Sequence, residues 1–181
     1  MHGAASPSPW FLAQRARLAE AARRGPVLDL ACGRGRHALA AAELGAHTIG
    51  IDRDAEALRA LQAEARRRNL PLSSLRADLE TSLGIPVKPG SCGVILVFRF
   101  LFRPLAPAIS AALAPGGLLL YETFTVAQRA LGSGPRRADF LLEPGELRAL
   151  FSDLEPLEHW EGRNHGPPPE YLARLAARRP E

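Results

Sequence analysis

The chain has 181 residues, 46% of them hydrophobic, with a formal net charge of +4; that suffices for one domain with its own core. It holds no apolar run near the ~18 residues a membrane span needs, and its start, MHGAASPSPW, lacks the charged-then-apolar order of a signal peptide. Its bases are scattered arginines, and only 6% of residues are aromatic, which speaks against a nucleic-acid partner. Cys32 and Cys92 read as reduced, buried thiols, so the expected location is the cytoplasm.

In chain order, Trp10 to Arg24 has the apolar spacing of a helix, with Ser8 as a possible N-cap and Gly25-Pro26 as its stop. Val27 to Ala31 reads as a buried strand. Gly33 and Gly35 follow, then a helical stretch from Arg36 to Leu44 with Gly45 at the C-cap position. A second apolar run, Thr48 to Ile51, ends on Asp52. Strand, glycine turn, helix, strand and acid together form a nucleoside-cofactor pattern. The glycines permit close backbone approach, the helix start offers free N–H groups, and an acid about 20 residues on suits a ribose diol. Gly33 to Ala38 also fits the G-x-G-x-x-A dinucleotide fingerprint. Asp29 argues otherwise: inside the first strand it would repel a pyrophosphate and attract the amino group of a methionine moiety.

Asp54 caps a helix over 55–68. Leu72 to Ala77 reads as a third strand leading to Asp78-Leu79. Cys92 to Phe98, almost wholly apolar, suits the centre of a parallel sheet and leads into Arg99-Phe100-Leu101-Phe102. If the strand's pleat continues, Phe98, Phe100 and Phe102 share one face and Arg99 takes the other. A helix over 105–113, a turn at Pro115-Gly116-Gly117 and a strand over 118–121 come next, with Glu122 at the strand's end. Residues 125–142 form an irregular loop long enough to be functional. A short helix over 144–151 and a strand over 154–160 follow, then a loop over 162–169. Residues 171–179 fit either helix or strand.

Val27-Leu28-Asp29-Leu30-Ala31-Cys32-Gly33-Arg34-Gly35 resembles motif I of class I S-adenosylmethionine (SAM)-dependent methyltransferases, and Leu113-Ala114-Pro115-Gly116-Gly117-Leu118-Leu119-Leu120 is similar to the start of their fifth strand. D-x-x-C-G-x-G followed by R-H-A, and F-L-L-x-P-G-E-L-x-x-x-F, resemble the tellurite-resistance/thiopurine-methyltransferase-like branch. The resemblance implies an α/β fold: a Rossmann-like, doubly wound, seven-stranded sheet, mostly parallel with an antiparallel last strand. It implies a single methyltransferase domain over 1–181, with residues 1–25 a tail and helix over the cofactor site. Cofactor contacts are expected from Asp29, Ala31, Cys32, Gly33 and Gly35 in the first motif, and from Asp52 and Arg53 after the second strand. Asp78, at the adenine amino group, Leu79 over the ring, and Phe98 complete the expected set. Ala31 stands where many members carry glycine, and is expected to be extended.

No His/Cys cluster has metal-ligand spacing, so no metal is expected. His37 is expected to be structural. No G-x-S-x-G element appears. Methyl transfer from a sulfonium needs alignment and exclusion of water more than acid–base groups. The candidate catalytic residues are Arg99, as holder of an anionic substrate, and Glu122, as proton acceptor or partner of Arg99. The expected cofactor is SAM, with S-adenosylhomocysteine (SAH) as product, and the expected acceptor a small molecule such as a thiol or chalcogen compound. The alternatives are a non-catalytic SAM-binding protein and a dinucleotide-dependent oxidoreductase.

Overall fold

The computed structural model describes residues 6–181. Its centre is one seven-stranded sheet. The strands are β1 (Val27–Leu30), β2 (Thr48–Asp52), β3 (Leu72–Arg76), β4 (Cys92–Phe98), β5 (Leu113–Phe124), β6 (Glu155–Asn164) and β7 (Glu170–Arg178), in the spatial order β3-β2-β1-β4-β5-β7-β6. Every pairing from β3 across to β5 is parallel, while β7 runs against both β5 and β6. The expected architecture is therefore present, and the ambiguous C-terminal segment is a strand.

The helices are α1 (Pro9–Ala13), α2 (Arg15–Ala21), α3 (Arg36–Glu43), α4 (Ala55–Arg67), α5 (Ala106–Ala112) and α6 (Glu146–Leu150). Among the described residues, no helix is long and apolar enough to cross a membrane. β1 and β4 are buried at every position because helices cover both faces of the sheet. On one face Leu28, Leu30, Ile95 and Val97 pack with Ile109 and Phe151; on the other Val94, Leu96 and Phe98 pack with Trp10, Phe11 and Leu18. The strand order reverses at β1 and β4, and the crevice at their carboxyl ends is where open α/β sheets take ligands.

Three boundaries differ from expectation. The N-terminal helix breaks at Gln14, which is buried and donates through Nε2 to Glu158 Oε2 at 2.8 Å, while Trp10 Nε1 donates to the other oxygen of Glu158 at 2.7 Å. One carboxylate on β6 thus fixes the bend. β6 runs on to Asn164, where the sequence suggested a loop, because it pairs with β7 as far as Glu170. β5 begins at Leu113, and the Pro115-Gly116-Gly117 turn is a bulge within it, since Cys92 pairs with Leu113 and Val94 with Leu118.

Candidate functional site

A cavity of about 370 Å³ opens at the carboxyl ends of the parallel strands. Asp52, Arg53, Asp78 and Leu79 line one side; Arg99, Phe100, Thr123 and Phe124 line the other, with Pro135 and Phe140 from the 125–142 loop. That loop is pinned by Gln128, whose Oε1 accepts from the Tyr171 N–H at 2.7 Å and whose Nε2 donates to the Ser133 carbonyl at 3.0 Å. Of the expected cofactor set, Ala31, Asp52, Arg53, Asp78 and Leu79 line the cavity.

Asp52 ends β2 and organises the turn opposite. Its Oδ2 accepts from the Gly33 N–H at 2.7 Å and its Oδ1 from the Asp54 N–H at 2.9 Å. Each oxygen keeps a second lone pair for a ligand hydroxyl. Gly33 has φ +54° and nothing within 4 Å of where a Cβ would stand, so ligand atoms can approach its backbone closely. Gly35 is different. Its φ is +74°, but a Cβ there would lie 2.3 Å from Leu61 Cδ1. The constraint on Gly35 is the packing of α3 against α4, not the cofactor space the sequence suggested. Cys32 contributes its backbone: its carbonyl accepts from the Gly35 N–H at 2.8 Å, while its side chain packs with the α3–α4 cluster.

Ala31 is not extended; it sits at φ +52°. Tight reversal from β1 into the glycine turn requires this left-handed geometry, which an alanine adopts at a cost of roughly 1–2 kcal/mol. Ala31→Gly is therefore expected to stabilise the protein by about 1 kcal/mol, after subtracting the extra freedom of glycine in the unfolded chain. Chemical denaturation checks this, and a variant no more stable than the parent would contradict it.

Asp29 does not line the cavity. It is buried on the α3 face of β1, and its Oδ2 accepts from the Ala38 N–H at 3.0 Å. The N-cap of α3 is Gly35, which has no side chain to cap with, so Asp29 performs that task across space. Burial pushes its pKa from 3.8 up to about 7, against the Ala38 bond and the Arg36 charge. His37 moves the other way. Burial, with Arg36 and Arg99 nearby, lowers it from 6.5 to about 3, and its Nε2 accepts from the Ser8 N–H at 3.1 Å. These two residues tilt stability in opposite directions between about pH 4 and 7. Because the folded Asp29 holds its proton more tightly, its contribution is full below pH 3.8 and is lost as pH rises through about 7. The contribution of His37 is full above 6.5 and is lost as pH falls toward 3. Asp29→Asn removes only the first effect, so the variant's stability should rise more steeply with pH over this window than the parent's. Urea titrations at several pH values test this, and parallel pH profiles would contradict it.

At the other side of the cavity the strand does not continue past Phe98. Arg99 has φ +62°, and this turn breaks the expected alternation. Phe98 points away from the cavity and stacks on His37, with ring centroids 3.8 Å apart; its side chain is part of the α1 cluster and not of the cavity wall. Phe100 lines the cavity, and Phe102 packs on the opposite core. Arg99 is not principally paired with Glu122, which is 4.0 Å away. Both terminal nitrogens of Arg99 donate to Glu170, each at 2.6 Å, and its guanidinium lies 4.5 Å from the Phe124 ring centroid. Glu122 is only 1% exposed and accepts at Oε2 from Arg174 Nε at 2.7 Å and from Ser8 Oγ at 3.1 Å. Ser8 therefore spends its hydroxyl on Glu122 rather than on capping α1. The sequence reading missed Glu170 and Arg174. The alternation Tyr171-Leu172-Ala173-Arg174, read as a strand beside β5, would have placed Arg174 opposite Glu122, as the register does.

Segment 9–13 thus packs against Phe98, and Ser8 against His37 and Glu122, beside the cavity and outside its lining. Among the described residues, no group of three His, Cys, Asp or Glu side chains could hold a metal ion.

A family model described as a methyltransferase domain matches residues 27–117. The ribosomal protein L11 methyltransferase of Pseudomonas putida strain F1 is 35% identical over 127 residues, which are 67% of this chain and 41% of that protein. The chain spans about two fifths of the length of the curated relatives it matches in this way. TehB from Haemophilus influenzae superposes with a TM-score of 0.70 at 23% identity, covering 91% of this chain and 62% of that one. A SAM-dependent methyltransferase from Methanosarcina mazei superposes with a TM-score of 0.73 at 15% identity, covering 97% and 99%. At such identities the likeness to solved structures is one of fold.

Proposed function

The chain belongs to the methyltransferase domain family, and on that premise we propose that this SAM-dependent methyltransferase holds its cofactor across the carboxyl ends of β1 to β4 and passes the methyl group directly to a small-molecule acceptor. The observation that carries the reading is the pair of strand-tip carboxylates, Asp52 and Asp78, both lining one cavity beside the open backbone at Gly33. These residues fit the cofactor. A carboxylate at Asp52 accepts from a ribose diol, Asp78 accepts from an exocyclic amino group, and Leu79 supplies an apolar ring cover. Bound SAM supplies a sulfonium-activated methyl group.

The acceptor end has a distinct character. Phe100, Phe124, Pro135 and Phe140 give it an apolar lining, of the kind that excludes water once substrate fills it. Glu122 is turned into the fold by Arg174 and Ser8, and Arg99 is neutralised by Glu170. The Tyr121 hydroxyl donates to the Phe100 carbonyl at 3.0 Å, and burial raises its pKa. Among the described residues Glu122 Oε1 has no hydrogen-bond partner, but neither Glu122 nor Tyr121 lines the cavity, so a soft nucleophile that needs little proton removal fits best: a thiol or heavier chalcogen. The chain's own contribution is then alignment and water exclusion. This agrees with the branch that the R-H-A and P-G-E-L runs resemble, and the proposed unit is a single domain spanning the chain.

A protein acceptor is the second reading, because curated relatives are named ribosomal protein L11 methyltransferases. One experiment separates the two. The protein is incubated with methyl-labelled SAM and, separately, with small thiols, selenols, amines and ribosomal protein L11. Label in a thiol or selenol supports the proposal. Label confined to L11 overturns the small-molecule reading in favour of a protein acceptor, and label confined to amines overturns the soft-nucleophile assignment.

A further inference from the structure

Phe140 reaches the acceptor end of the cavity from the 125–142 loop, and it is 37% exposed. A loop side chain so open to water stays in one place only if something fixes its backbone. That group is Arg103, in the short turn Arg103–Leu105 that follows β4. Its Nη1 donates to the Asp139 carbonyl at 3.1 Å and its Nη2 to the Leu141 carbonyl at 2.9 Å. Those carbonyls flank Phe140 on either side. Nε and Nη2 also donate to the Glu146 carboxylate, the second at 2.9 Å, and the same carboxylate accepts from the Glu143 N–H at 2.8 Å. Bonds from a guanidinium are charge-assisted, and its planar fork fixes direction as well as distance. Among the described residues, every other hydrogen bond of 134–141 is made within the loop itself. Arg103 is therefore the outside group that sets where this stretch lies.

Arg103 is not part of the cavity lining, so it acts on the site through Phe140. The facing wall is fixed separately: the Tyr121 hydroxyl holds the Phe100 carbonyl at 3.0 Å. Phe100 and Arg103 are three residues apart, so the segment leaving β4 carries one wall and latches the other. The cavity is about 370 Å³, near the small end of the roughly 300–1,000 Å³ usual for ligand pockets. Cofactor and acceptor must share it, and the position of Phe140 decides how large an acceptor fits.

We propose that Arg103 is a positioning residue that sets acceptor size: it fixes Phe140 as a wall of the acceptor end, so that the cavity admits compact thiols and excludes those larger by a ring. The inference rests on the small-molecule reading of the cavity.

Methyl transfer from labelled SAM to ethanethiol and to 2-phenylethanethiol, which differ by one phenyl ring, tests it. The parent should prefer ethanethiol. Phe140→Ala and Arg103→Gln should each raise the ratio of kcat/KM for the larger thiol over the smaller by at least about tenfold, the scale on which pocket shape discriminates. The double variant should stay within about twofold of Phe140→Ala, because the two residues act as one unit. An equal fall for both thiols in Arg103→Gln marks a merely structural role and overturns the proposal, as does an unchanged ratio in either single variant or a double variant in which the two shifts multiply. A parent that methylates neither thiol overturns the thiol reading instead. The latch is then judged by amide hydrogen exchange over 138–142, which Arg103→Gln should speed; unchanged exchange overturns it. Should Arg103→Gln fail to fold, Arg103→Lys, which keeps the charge beside Glu146 but not the fork, is judged by the same shift in ratio.

Discussion

Replacing Glu122 by alanine should destabilise the protein by about 3–5 kcal/mol, the range for removing one member of a buried ion pair. Glu122 is 1% exposed and the Arg174 side chain 16% exposed, with Nε 2.7 Å from Oε2. Without the carboxylate, Arg174 keeps its cation–π contact with Trp160, at 4.7 Å, but loses its counter-charge. Ser8 loses its acceptor as well and keeps its N–H bond to His37. Glu122→Gln keeps an acceptor oxygen for Arg174 and should lose markedly less. At about 2–4 °C per kcal/mol for a chain of this size, scanning calorimetry resolves the two variants. An alanine variant within about 0.5 kcal/mol of the parent, the usual range for a surface change, would contradict the buried-pair account. Glu122, a candidate proton acceptor by position, lies outside the cavity lining and holds Arg174 and Ser8.

Asp52→Ala should weaken SAM binding by roughly 1.5–3 kcal/mol, because the ribose diol loses a charged acceptor of two hydrogen bonds; that is about ten- to a hundredfold in affinity. The unliganded fold should suffer less, about 1 kcal/mol, since the Gly33 and Asp54 N–H groups that Asp52 now holds can turn to water. Asp52→Asn, which retains an acceptor, should fall between parent and alanine in affinity. Calorimetric titration with SAM checks the order. Unchanged affinity in Asp52→Ala would remove Asp52 from the cofactor site.

What the sequence revealed and concealed follows the range of the interactions. The β1–turn–α3–β2 unit and its terminal Asp52 were readable because strand length, glycine spacing and the following acid are all local. The parallel centre was readable from the unbroken apolar run of β4. The role of Gly35 was not, because the atom that forbids a side chain there belongs to Leu61 on α4. The break at Gln14 was hidden for the same reason: its partner, Glu158, is 144 residues away. Arg99 lines the cavity, but its partner, Glu170, is 71 residues on and emerges only once β7 is laid beside β5. Ala31 was misjudged for another reason. The strain in its backbone comes from how sharply β1 must turn, which the residue type does not disclose.

The most direct test of the cofactor site is a crystal structure of the protein with SAH. The account predicts ribose hydroxyls on the Asp52 carboxylate, the adenine amino group on Asp78 and the amino-acid end beside Gly33. SAH seated elsewhere, or with its ribose beyond about 3.5 Å from Asp52, outside hydrogen-bond reach, would contradict it.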